Sequence, residues 1–196
     1  MREANHFEIR KIQYFIPHFG IPREDHLTTK FRSVFNGSAE AENGLSINKV
    51  CYTGENLLSD LSGLILSWRK YKYVFISDIK QMFRQIRVHV DDQYYQAILW
   101  RFGKSQPIKD YLLETVTYGL VSSPYLAIRC LKQLAEDERL KFPLGASALY
   151  DEVYMDDTIS GGYTLKESIK KLKELRDIVS WEDLSYISSY PMIVNY

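Results

Sequence analysis

Apolar positions along this chain recur in two rhythms, one helical and one alternating. Between Leu57 and Trp68 they fall at Leu57, Leu58, Leu61, Leu64, Ile65 and Trp68, the stripe of an amphipathic helix expected to pack on a sheet. Tyr71 to Ser77 is β-branched and aromatic and stops at Asp78. The apolar spacing then turns helical at Ile79, Met82, Phe83 and Ile86, so Asp78 is expected to end a strand. Tyr94 to Arg101 and Tyr111 to Val116 read as strands, and Ser123-Pro124 offers an N-cap and a first-turn proline for a helix over 124–138. LYDEVYMDDTISGGY has strand character on both sides of its acidic pair, the pattern of a hairpin that turns there. Thr164 and Glu167 form a capping box for a helix whose buried stripe is expected at Leu165, Ile169, Leu172, Leu175 and Ile178. The N-terminal third is richer in loops. Short strands are expected at 13–17 and 31–35, joined by the turn-rich FGIPREDHLTT, with further turns at Asn36-Gly37 and Asn43-Gly44. The mixture predicts an α+β fold.

Composition narrows this picture. With 196 residues, 45% of them hydrophobic and 14% aromatic, the chain can bury one sizeable core or two closely packed subdomains, which excludes a disordered chain. It shows no repeat, low-complexity run or long linker, so one compact unit is expected. Cys51 and Cys130 are far apart and lack a histidine cluster, which indicates neither a disulfide framework nor a zinc site and fits a reducing, intracellular, cytoplasmic setting. No stretch reads as a signal peptide or a membrane span, so a soluble protein without a membrane partner is expected. The 25 basic and 25 acidic residues cancel, unlike the basic excess of many nucleic-acid binders. The distribution is uneven, however: from Arg69 to Lys109 nine basic residues face three acidic ones, a local excess of +6. Most of these charges also read as an ordinary solvated face.

The candidate chemistry lies in three carboxylates, Asp78 at a strand end and Asp156 and Asp157 at a hairpin tip, which adjacent strands would bring together. Clustered carboxylates repel one another and are best tolerated around divalent cations, and hard oxygen ligands favour magnesium or manganese. Two such ions roughly 3.5–4 Å apart stabilise the attacking and leaving oxygens of a phosphoryl displacement. Singly, each signal is weak. An aspartate after a strand is common, and an Asp-Asp pair in a turn is often turn chemistry alone.

Three segments in order, VFISDIKQMFRQIRV, VTYGLVSSPYLAIRCLKQLAEDE and YMDDTISGG, resemble the first, second and third palm motifs of reverse transcriptases. With the upstream TTKFRSVFNGSA and NGLSIN, their wording is similar to Pao/BEL-type LTR retrotransposon polyproteins in particular, over about Tyr14 to Val179. The resemblance implies a right-hand polymerase fold with an antiparallel palm sheet backed by helices. Fingers would span about 1–70 and 88–118 and palm about 71–87 and 119–180, with the thumb missing and an unaligned tail at 181–196. It implies template-directed DNA synthesis from deoxynucleoside triphosphates on a primed RNA or DNA template, with Mg2+, or Mn2+ in its place, as the ion.

Carried over residue by residue, the resemblance makes Asp78 and Asp156 the principal metal ligands, Asp157 a supporting carboxylate, and the Ile79 backbone carbonyl a further ligand. Lys30 and Arg32 match the basic fingers motif that would bind the triphosphate; by composition alone they are surface charges. Phe83 matches the ring that would reject a ribose 2′-hydroxyl, though its spacing suits a core phenylalanine nearly as well. Tyr118 and Gly119 match the loop lining the nucleotide, where glycine equally suits a strand-to-helix turn. Met155 would pack beside the primer terminus and Tyr154 would be a structural neighbour. Ser122, Ser123 and Pro124 match a stretch that would contact the template backbone, but a plain helix start is the favoured account. Thumb, ribonuclease H, protease and integrase would lie outside this segment, and an intact element would place it in a particle. A chain lacking its thumb is expected to be poorly processive or inactive. The alternative is therefore a catalytically inactive retrotransposon-derived relic that binds only nucleic acid or a partner.

Overall fold

The computed structural model describes residues 1–22 and 31–179. In chain order these form β1 (Arg2–Glu3), α1 (His6–Ile9), β2 (His18–Pro22), β3 (Phe31–Phe35), α2 (Ile47–Val50), α3 (Leu61–Trp68), β4 (Tyr73–Asp78), α4 (Met82–Gln85), a 3-10 turn (Asp92–Tyr95), β5 (Ala97–Trp100), β6 (Lys109–Leu112), α5 (Ser123–Glu138), α6 (Pro143–Asp151), β7 (Val153–Tyr154), β8 (Asp157–Gly162) and α7 (Leu165–Val179). The strand pairs in the three sheets are all antiparallel, so the chain is α+β. Among the described residues no helix is long and apolar enough to cross a membrane. The unaligned tail at 181–196 lies outside the described residues.

The chain divides into two compact units rather than one, the first holding Met1–Gly54 and Phe83–Ser123, the second Glu55–Met82 and residues 124–179. In the first, one sheet has the order β1-β6-β5 and β2 pairs with β3. Ala4, Tyr94, Ala97 and Leu112 form a buried cluster with Ile12 packed against it. The strand expected at 13–17 is reduced to a single bridge, Phe15 to Ala97. The strand starts instead at His18 and takes in FGIP, because His18–Pro22 finds a full register against Phe35–Phe31. Pro22 closes that run, where a missing N–H is tolerated. Tyr94 and Tyr95 belong to the 3-10 turn, which shortens the expected strand to Ala97–Trp100. The next strand is displaced to Lys109–Leu112.

In the second unit β8 is the central strand of the order β4-β8-β7. Helices α3, α6 and α7 pack against this sheet. Helix α3 begins at Leu61 rather than Leu57 because the Asp60 carboxylate accepts the N–H groups of Ser62 and Gly63. The helix expected after Asp78 is a single turn, since Gln81 has φ +54 and breaks the run. Helix α6 forms where the apolar pattern suggests no helix. Its first-turn Pro143 is the local signal that could have located it. Gly145 lets α6 approach α7 closely, as a Cβ there would stand 2.5 Å from the Leu175 nitrogen.

The buried stripe expected on α7 holds at Leu175 and Ile178 and is corrected at its other three positions. Leu165 is 55%, Ile169 45% and Leu172 38% exposed, whereas Ser168, Lys171, Glu174, Leu175 and Ile178 are buried. Partners explain the rotation. The Glu174 carboxylate accepts the N–H groups of Leu144 (2.8 Å) and Gly145 (3.0 Å), capping α6, and Lys171 pairs with Glu152.

Candidate active site

The second unit brings Asp78, Asp156 and Asp157 together through backbone pairing. Along β4 Tyr73, Phe75 and Ser77 are half-buried, while Val74, Ile76 and Asp78 are exposed. Antiparallel register sets Asp78 opposite Asp157, Ile76 opposite Ile159, and Phe75 opposite Ser160. Directly opposite residues share a face. Asp78 and Asp157 therefore stand together at the end of the sheet's exposed face, and the other face buries Thr158 and Ser160 completely. Like charges directly opposite are unfavourable, which a cation would relieve.

The hairpin turn differs slightly from expectation. Tyr154 pairs with Asp157, so the two connecting residues are Met155 and Asp156, and Asp157 already belongs to β8. Met155 has φ +59, a left-handed conformation that costs a non-glycine residue roughly 1–2 kcal/mol. The Asp156 carbonyl accepts the Ile79 N–H at 2.8 Å, tying the turn to the end of β4. Ile79 is buried, and its own carbonyl accepts the Met82 N–H at 3.1 Å, which leaves one lone pair for another partner. The three carboxylates are exposed. The donor set fits a hard divalent cation in chemistry: three carboxylates and a carbonyl, fixed by backbone bonds. Among the described residues, however, no three His, Cys, Asp or Glu side chains already converge closely enough to hold a metal ion.

The remaining expected site residues lie in the first unit, apart from Lys30, which is outside the described residues. Arg32 is exposed on β3 opposite Ile21. Phe83 is half-buried in the one-turn α4, less enclosed than an ordinary core phenylalanine. Tyr118 packs edge-on against Phe35 at 5.2 Å, and the Arg84 guanidinium lies 5.9 Å from its ring centre. These rings, with His18, Ser33 and Trp100, help line a cavity of about 230 Å³ within this unit.

Gly119 has φ +94, and a Cβ there would fall 2.4 Å from the Phe35 carbonyl oxygen, so the position demands glycine sterically. Asn48, not singled out in the sequence, holds this loop. Its amide donates to Gly119 O (3.0 Å) and Ser38 Oγ (2.9 Å), and its Oδ1 accepts the Val121 N–H (3.0 Å). Only the surrounding NGLSIN marked it. Ser122 and Ser123 are buried; Ser123 is the first residue of α5 rather than its N-cap, and its Oγ donates to the Thr117 carbonyl instead of accepting a helix N–H. Both cysteines are buried and neither forms a disulfide; burial pushes the Cys51 thiol up to about 11 and the Cys130 thiol up to about 12.

A sequence model described as "Reverse transcriptase (RNA-dependent DNA polymerase)" matches residues 25–186. No curated protein matches the chain.

Proposed function

Because this chain belongs to the reverse transcriptase family, whose members are nucleotidyltransferases, we propose that it extends a primer by two-metal-ion nucleotidyl transfer on an RNA or DNA template, as part of a Pao/BEL-type retrotransposon polyprotein. One observation carries the reading: the register of β4 and β8 sets Asp78 opposite Asp157 beside the Met155–Asp156 turn, at the end of an exposed sheet face. In this reading the first unit belongs mainly to fingers and the second mainly to palm, and the ion is Mg2+, with Mn2+ as a substitute.

Asp78, Asp156, Asp157 and the Ile79 carbonyl would hold the divalent ions. Bound there, such ions lower the pKa of a primer 3′-hydroxyl and neutralise charge on the triphosphate and departing pyrophosphate. The protein's own contribution is to place the oxygens. The Asp78–Asp157 rung and the Ile79 N–H to Asp156 carbonyl bond fix the three backbones before any ligand arrives, so little ordering remains at the moment of reaction. In the first unit, the exposed Arg32 guanidinium suits two phosphate oxygens at once. Phe83 is assigned the exclusion of a ribose 2′-hydroxyl. Tyr118 and Gly119 are assigned the nucleotide pocket, with Gly119 admitting the close approach of backbone.

Primer extension by the purified chain on poly(rA)/oligo(dT) with magnesium tests the proposal, with Asp156→Asn as matched control. Extension abolished by the substitution is the expected result. A folded wild-type chain that extends nothing, even with manganese, would restrict the polymerase reading to ancestry and leave the inactive relic as the better account.

A further inference from the structure

The hairpin carrying Asp156 is not self-supporting. Strand β7 has two residues and two rungs to β8, and its turn places Met155 at positive φ. Hairpins this small are marginal alone. Strand β8 is anchored by six pairs to β4, whereas β7 is an edge strand without that anchor.

Glu152, the residue just before β7, supplies the missing anchor. Its N–H donates to the Ala148 carbonyl at the end of α6, and its carbonyl accepts the Ile159 N–H at 2.8 Å, extending the hairpin by one bond. Its carboxylate accepts from three directions: the Tyr71 hydroxyl at 2.7 Å, just before β4; the Ser160 hydroxyl on β8; and the Lys171 ammonium on α7, 3.4 Å from both oxygens. Lys171 is only 6% exposed, and its Nζ also lies 4.7 Å from the Tyr71 ring centre. Every donor converges on one carboxylate four residues from Asp156. A neutral amide cannot replace it, because an NH2 group would then face donors.

We propose that Glu152 is a positioning residue which, held by Tyr71, Ser160 and Lys171, sets where the Met155–Asp156 turn stands and thereby the cation affinity of the carboxylates. This rests on the assignment of Asp156 as a metal-holding residue. A purely stabilising ion pair behaves differently, since apolar residues of similar volume commonly replace a buried pair without loss of stability. Position is the property such a replacement would not restore.

The test uses the full chain with carbon-13 methionine methyls and Mn2+ as probe, reading Mn2+ binding from the paramagnetic resonance of the free ion. The variants are Glu152→Gln, the double variant Glu152→Leu/Lys171→Met, and Asp156→Asn. In Glu152→Gln the Met155 methyl signal is expected to shift while that of Met82, buried in the same unit, holds. The apparent Mn2+ dissociation constant is expected to rise about tenfold, the scale of losing a group that orients a metal ligand. The double variant removes the ion pair but leaves the Tyr71 and Ser160 hydroxyls without that acceptor, so it should melt below the wild type while showing the same two changes. A Met155 signal unmoved in both variants overturns the proposal, whatever Mn2+ does. A displaced Met155 with wild-type Mn2+ affinity overturns the link to the carboxylates. If wild type and Asp156→Asn bind Mn2+ alike, the metal assignment itself fails, and the link to the carboxylates falls with it.

Discussion

Replacing Gly119 by alanine separates two costs that usually arrive together, and Gly44 supplies the control. Both glycines have positive φ, +94 at Gly119 and +73 at Gly44, so alanine at either meets a backbone penalty of roughly 1–2 kcal/mol. At Gly44 nothing lies within 4 Å of the new Cβ, and the cost should end there. At Gly119 the Cβ would stand 2.4 Å from the Phe35 carbonyl oxygen and 3.3 Å from its carbon. Neither atom is the end of a flexible side chain, so the loop or the end of β3 must move. Movement loosens the Asn48 bonds to Gly119 and Val121, each worth about 1 kcal/mol. The total is about 3–4 kcal/mol. At about 2–4 °C per kcal/mol for a chain of this size, Tm should fall by roughly 10 °C for Gly119→Ala and about 4 °C for Gly44→Ala. Thermal unfolding followed by circular dichroism, with urea unfolding as a check, measures both. Adding Asn48→Ala to Gly119→Ala should then cost less than Asn48→Ala alone, because the two share a loop. Equal destabilisation by the two glycine substitutions would refute the steric reasoning.

Two further outcomes follow from burial. Leu175→Ala, at a side chain 2% exposed, should cost about 2–4 kcal/mol, whereas Leu165→Ala, 55% exposed, should stay within about 0.5 kcal/mol; similar urea midpoints for the two would favour the stripe read from the spacing. Cys51 and Cys130, with thiols raised to about 11 and about 12, should react slowly with a disulfide reagent at about pH 8 in the native chain and fully in urea. Their raised values favour the neutral thiol in the folded state, so the associated stability is present below the ordinary value of 9.0 and fades as pH climbs towards 11. Rapid native-state modification of either thiol would contradict the enclosure seen here.

Legibility followed the range of the interaction that decides each feature. The strand ending at Asp78, the helix from Ser123 to Glu138 and the reversal at the acidic pair were readable because caps, prolines and apolar period act within a few residues. The order of the motifs along the chain likewise points to the family. Helix α6 is illegible although its Pro143 is a local cue, because the apolar LYDEVY segment that overlaps its end suits a strand equally well.

The amino-acid sequence by itself determined which residues could carry the chemistry and roughly which elements would bear them, since propensity, capping and periodicity are properties of neighbours along the chain. Only the tertiary structure decided the register that sets Asp78 opposite Asp157, because a strand's pairing partner is chosen by a segment some eighty residues away. It also decided which side of α7 faces inward. Hydrophobic spacing favoured Leu165, Ile169 and Leu172, but the amide donors of α6 and the carboxylate of Glu152 gave Glu174 and Lys171 partners that make their burial tolerable. Gly119 shows the same division: the sequence offers a glycine, and only the Phe35 carbonyl packed against it explains why no other residue fits.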